Sequence, residues 1–161
     1  MSVHRWNAGA LDETELRALA ARLATAARQG GVVHLEGDLG AGKTTFARAL
    51  LGALGVGERI KSPTYSLIES YRAGDLDAHH LDLYRIADAG ELEWLGLADL
   101  WNDRSLILIE WPERGTGALP DADLVILLRH ANDRRDVAFE AHTARGEALL
   151  DAAKTAVPSR P

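Results

Sequence analysis

Residues 37–44 read GDLGAGKT and satisfy G-x-x-x-x-G-K-[ST] at every fixed position. That spacing suits a polyphosphate. Gly40 and Gly42 let the backbone approach phosphate oxygens and turn successive N–H groups inward as an anion nest. A helix starting at this point adds the positive end of its dipole. Lys43 supplies a flexible point charge for the β- and γ-phosphates, and the Thr44 hydroxyl is a ligand for Mg2+. Such a loop specifies nucleotide binding and leaves the reaction open.

Other residues carry chemistry that would match. Glu110 closes the apolar run SLILIE, and an acid there can hold Mg2+ directly or through water opposite the P-loop hydroxyl. Without a P-loop the same residue would read as a surface glutamate leaving a sheet. Asp82, in HHLDLYR, can orient the attacking water, act as a base or join the metal shell. Equally, its charge can be satisfied by Arg85 or by capping a turn. His79 and His80 read as polar strand residues, because no third metal ligand stands nearby.

The loop Lys61-Ser62-Pro63-Thr64 reads as a turn on physics alone, although a threonine so placed could sense a γ-phosphate through Mg2+, as GTPase switch loops do. The base-reading N/TKxD motif of GTPases is absent from the sequence. Trp94, Trp101 and Trp111 default to packing. Trp111, between Glu110 and Pro112, stands at a strand's carboxyl end, where it suits a place near the nucleotide or a partner surface. Arg134 and Arg135 fit a solvated turn, with stacking on an adenine ring as the other reading.

The elements that must position these groups follow from periodicity. Leu16, Leu19, Ala20, Leu23 and Ala27 predict a helix over 12–28, opened by an Asp12/Glu15 capping box and closed by Gly30-Gly31. A strand over 32–36 and a helix over 43–54, stopped by Gly55 and Gly57, flank the P-loop. Further strands are expected at 65–71, 77–84 and 105–110, the last buried on both faces. A helix is expected over 88–101, through Leu92, Leu95 and Leu100. Strands at 124–128 and 137–141 suggest a hairpin about Asn132-Asp133, followed by a helix over 146–156 and the tail VPSRP. The alternation predicts an α/β fold of P-loop NTPase type: a mixed, mainly parallel sheet flanked by helices, with a C-terminal antiparallel hairpin. One domain is expected over 1–156 and a flexible tail over 157–161.

Bulk properties set the surroundings. The 161 residues are 47% hydrophobic and 26% charged, ordinary for a globular chain. With no cysteine, disulfides, thiolate metal sites and thiol nucleophiles are excluded. No stretch approaches the ~20 apolar residues of a membrane helix, and the N-terminus lacks the apolar core of a signal peptide. The cytoplasm is therefore the expected location. Acids outnumber bases, 24 to 18, and the net charge of −6 argues against an unaided grip on nucleic acid.

GDLGAGKTT at 37–45, KSPTY at 61–65, HLDLYR at 80–85, LEWLG at 92–96 and IEWPERG at 109–115 occur in that order. In this set the chain, from Asp12 to about Leu150, resembles the TsaE family of the bacterial tRNA threonylcarbamoyladenosine pathway. The resemblance implies a mixed α/β P-loop fold and Mg2+-dependent ATP hydrolysis, slow alone and activated by partners. Those partners are the TsaB–TsaD pair, which transfers threonylcarbamoyl to adenosine 37 of ANN-decoding tRNAs. It implies phosphate contacts from the loop Asp38, Leu39, Gly40, Ala41, Gly42, Lys43, Thr44 and Thr45, with Mg2+ on Thr44 and Glu110. It gives Lys43 and Asp82 catalytic roles, and it places Thr64 in a switch-like catalytic loop. Adenine contacts are implied around Glu13 and Thr14 and at an arginine near the hairpin, Arg135 preferred to Arg134 by position. The tRNA would be met only through the partners, which suits the acidic charge, and no membrane is implied. A small-molecule kinase and a nucleotide-dependent interaction module are the alternative functions.

Overall fold

In the computed structural model, residues 2–56, 59–60, 67–94 and 101–155 are described. Among them, eight strands share one sheet: β1 (His4–Leu11), β2 (Gly31–Glu36), β3 (Arg59–Ile60), β4 (Ile68–Ala73), β5 (Leu76–Asp82), β6 (Leu106–Glu110), β7 (Leu124–Ala131) and β8 (Arg134–Ala141). Their order is β1-β8-β7-β2-β6-β5-β4-β3. The sheet is mixed, as expected, but partly rather than mainly parallel: among the described residues three pairings are parallel, the central β7–β2, β2–β6 and β6–β5, and four are antiparallel. The flanks are antiparallel: β4 pairs with β5 and β3, and β8 pairs with β7 and β1.

The central position of β6 explains its sequence. All five residues of LILIE are buried, because helices or loops cover both faces of a parallel core. Alternation then sorts the side chains. On β2, Val33 and Leu35 face one side; on β6 and β5, Leu106, Leu108 and Ala78 face the same side. There they meet Leu16 and Leu19 of α1 (Glu13–Arg22), Phe46 and Leu50 of α3 (Lys43–Ala53), and Leu149 of α5 (Ala144–Lys154). Ile107, Ile109 and Leu81 point the other way, onto Ile68, Leu83, Ile86 and Leu92. A two-residue period thereby decides which polar residue at a strand end joins the α3 side.

Several local expectations are refined. The Asp12/Glu15 capping box forms, with Asp12 Oδ1 accepting from Glu15 N at 2.8 Å and Glu15 Oε1 accepting from Asp12 N at 3.0 Å. The single helix expected over 12–28 is instead two, α1 and the short α2 (Ala24–Ala27), joined at Leu23. The hairpin turns at Asn132, whose φ of 58° falls where asparagine is tolerated, and its ladder runs longer than expected. β1 was not foreseen: it is an edge strand with four residues exposed and none buried, so it gives little periodic signal. Of the helix expected over 88–101, α4 (Glu91–Trp94) is described, whereas residues 101–104 are not helical. The KSPTY stretch with Thr64, residues 95–100 of the LEWLG region, and the tail from 156 onward lie outside the described residues.

Candidate functional site

The P-loop forms where β2 ends at Glu36 and the chain must turn into α3 within six residues. Space explains Gly37: a Cβ there would lie 2.4 Å from the Leu128 carbonyl oxygen on the neighbouring strand. Conformation explains Gly42, which caps α3 with a φ of 103°. The first helical bond runs from Phe46 N to Gly42 O at 2.9 Å, so the amides of Lys43, Thr44 and Thr45 precede it and open toward the loop. This is an anion-binding helix start. The β7–β8 hairpin braces the loop from outside, with Arg135 Nη2 donating to Gly40 O at 3.2 Å and His130 Nε2 3.2 Å from Leu39 O.

Gly37→Ala is accordingly expected to displace backbone rather than a flexible side chain. Overpacking of this kind costs about 1–3 kcal/mol, and ~2–4 °C of Tm accompanies each kcal/mol in a chain of this size. Calorimetry of the variant checks the value, and an unchanged Tm would refute the close approach.

Lys43 is buried. Its ammonium donates to Gly37 O at 2.5 Å and lies 3.3 Å from the centroid of the Trp111 ring. Burial pushes its pKa below the ordinary value, opposed by the carboxylates of Glu110, Glu113, Asp82 and Asp38. The loop thus keeps a cation partly desolvated, which strengthens any phosphate contact it makes. Trp111 adopts left-handed φ and ψ of 59° and 50°, and its ring packs on Tyr84 at a centroid distance of 5.0 Å.

The acids converge on the same spot through sheet register. Asp82 and Glu110 are paired neighbours at the carboxyl ends of β5 and β6, on the α3 side. Glu110 is 2% exposed, and its Oε1 and Oε2 accept from the Thr44 hydroxyl at 2.8 and 2.9 Å. Its Oε2 also lies 2.6 Å from His80 Nε2. Asp82 is exposed, and its Oδ1 accepts from Tyr84 N at 3.1 Å. The turn-capping contact weighed for Asp82 therefore exists, within the cleft rather than instead of it. A hydroxyl and two carboxylates are hard oxygen donors, the kind that Mg2+ prefers, and they stand beside a nest of backbone amides suited to a phosphate.

Leu39, Gly40, Gly42, Lys43, Thr44, Thr45, Asp82, Tyr84, Glu110 and Trp111 line a cleft of about 190 Å³. Asp38 lines the adjoining hollow with Gly37, Trp111 and His130, and Ala41, within the loop, is fully buried. Glu13 is not among the cleft residues: it is exposed on the first turn of α1, 3.7 Å from Arg17. Arg134 bonds Glu15 at 2.9 Å, leaving Arg135 as the hairpin arginine that touches the loop. Sequence reasoning passed over Tyr84 and took His80 for a strand polar residue. The signal for His80 was its spacing of two from Asp82, which puts both on one face of β5.

A larger cavity, about 720 Å³, lies elsewhere, between His34, Glu36, Glu113, Asp121 and His142. Burial there lowers the pKa of His34 and raises that of Glu36, so both are biased toward neutrality. Among the described residues no three His, Cys, Asp or Glu side chains are grouped to hold a metal. The P-loop residues line the smaller cleft.

A strand, a glycine-rich turn and a helix start, with a buried lysine and a facing acid, define a P-loop nucleotide-binding protein. The model of the family described as threonylcarbamoyl adenosine biosynthesis protein TsaE matches residues 10–137, and the chain belongs to that family. It is 44% identical over 121 residues to the tRNA threonylcarbamoyladenosine biosynthesis protein TsaE of Haemophilus influenzae, covering 75% of this chain and 77% of that one. The protein of the same name from Bacillus subtilis is 38% identical over 138 residues, 85% of this chain and 86% of the other. The crystal structure of YdiB from Bacillus subtilis superposes with a TM-score of 0.72 and 31% identity, over 94% of each chain.

Proposed function

We propose that this chain hydrolyses ATP with Mg2+ and that hydrolysis serves threonylcarbamoyl modification of adenosine 37 in ANN-decoding tRNAs, in a complex of TsaB–TsaD type. The observation that carries the reaction is the convergence of Thr44, Glu110 and Asp82 at the mouth of the P-loop. Family membership and the relatives' names support the pathway.

In this reading the loop amides from Asp38 to Thr45 bind the phosphates, and Lys43 leaves Gly37 O and the Trp111 ring for the β- and γ-oxygens. Thr44 and Glu110 hold Mg2+, which when bound neutralises charge on the β- and γ-phosphates. Asp82, on the open side of the cleft, orients the attacking water and takes its proton. The products are ADP and phosphate. Arg135, bonded to Gly40 O, is the arginine this reading gives to the adenine, and Thr64 is the residue it gives to sensing the γ-phosphate.

Among the described residues no helix is long and apolar enough to cross a membrane, and we place the protein in the cytoplasm with its tRNA-modifying partners. The net charge of −6 suits a protein that meets tRNA through them. ATP binding and hydrolysis would bias two states of the complex, as any ligand with differential affinity does.

Reconstitution tests the proposal. With a TsaB–TsaD pair, tRNA and ATP, sustained multiple-turnover modification is expected to require this protein and to release phosphate. Modification of equal extent without it would defeat the pathway assignment. Transfer of phosphate to a small molecule would point to a kinase instead.

A further inference from the structure

His80 has no place in that mechanism, and its surroundings do not explain it. It sits on β5, 7% exposed, with Ala78 on its own face and Leu108 as its register partner on β6. An apolar side chain would pack there at least as well, and a buried imidazole costs stability unless its nitrogens are satisfied. What the position offers is aim. His80 lies two residues before Asp82 and diagonal to Glu110, so its Nε2 reaches Oε2 of that carboxylate at 2.6 Å.

We propose that His80 is a positioning residue that fixes the rotation of the Glu110 carboxylate for its role toward Mg2+, an inference that rests on the magnesium reading above. With Glu110 ionised, as a metal-binding acid must be, Nε2 carries the hydrogen and donates it. That bond pins Oε2, which the Thr44 hydroxyl also reaches at 2.9 Å, while Oε1 accepts, among the described residues, from the Thr44 hydroxyl alone at 2.8 Å. The carboxylate is thereby held with both oxygens within reach of Thr44 and its rotation set by the imidazole on Oε2. Unanchored, it would rotate about its last torsion, which is broad for a glutamate. Removing an outer partner of this kind typically lowers metal affinity ~10–100-fold.

The test compares wild type, His80→Leu and His80→Gln, using Mn2+ as the metal probe. Gln places an N–H near the position of Nε2, and Leu keeps the volume without a donor. Electron paramagnetic resonance gives Mn2+ affinity in the presence of saturating ADP, and calorimetry in EDTA gives affinity for metal-free ADP. His80→Leu is expected to lose ~10–100-fold in Mn2+ affinity, keep its metal-free ADP affinity, and be rescued by His80→Gln. Wild-type Mn2+ affinity in His80→Leu, or parallel loss of both affinities, would overturn the inference. If His80→Leu does not fold, the imidazole 15N spectrum of the wild-type ADP complex decides, with the His80 signal identified by its absence in His80→Gln. A protonated Nε2 that shifts when Mg2+ is added supports the role, and an Nε2 indifferent to Mg2+ overturns it. Wild type that gains no Mn2+ affinity from ADP would sink the magnesium reading itself, and this inference with it.

Discussion

Lys43→Ala is expected to weaken Mg2+-ATP binding by about 100-fold while the chain still unfolds cooperatively. The figure follows from losing two charge-assisted contacts, to the β- and γ-phosphates, at about 1.5 kcal/mol or more each, with 1.4 kcal/mol per tenfold. The fold should tolerate the change, because the ammonium, being buried, is itself a burden on the folded chain. Its folded pKa is depressed by burial, so below that pKa the buried charge works against the folded state. As pH rises from the lowered folded value toward the ordinary one, the unfolded chain holds more protons than the folded one, and this penalty is relieved. Lys43→Ala should remove that alkaline rise in stability. Isothermal titration and pH-dependent denaturation read the two effects. Unchanged ATP affinity would defeat the central assignment of the P-loop.

Asp82→Asn is expected to separate chemistry from binding. Loss of a general base or water-orienting carboxylate lowers turnover ~10²–10⁴-fold. Binding should change little, because asparagine keeps the oxygen that accepts from Tyr84 N and so keeps the side chain in place. The measurement is phosphate release with the partner pair present, beside ATP affinity from titration. Wild-type turnover in the variant would return Asp82 to a turn-capping role. Loss of affinity with unchanged turnover of the bound fraction would make it a ligand-holding residue instead.

The two expectations differ because the residues reach the cleft by different routes. Lys43 is bound to the phosphate nest by local sequence: a loop with these glycines, followed by a helix, has few ways to fold. Asp82 and Glu110 are 28 residues apart in the chain and meet because β5 and β6 run parallel in a fixed register. A slip of one residue by either strand would turn its acid to the opposite face, the one that carries Ile107 and Ile109. That the two acids are neighbours could therefore not be read from the sequence and follows from the register.

By itself the sequence determined the loop at Gly37 to Thr44, the helix after it, the capping box at Asp12 and the apolar strand that carries Glu110. These depend on neighbours within a few positions, where glycine conformation, helix capping and side-chain periodicity act. The structure alone decided the pairing of β1 with β8 and the brace that Arg135 and His130 place on the loop. It also decided the cradle of Trp111 under Lys43 and the bond from His80 to Glu110. Each joins residues distant in the chain, through contacts that exist only once the sheet has set strand order and register. Local chemistry wrote the phosphate nest, and long-range packing aimed the groups that would act on what it holds.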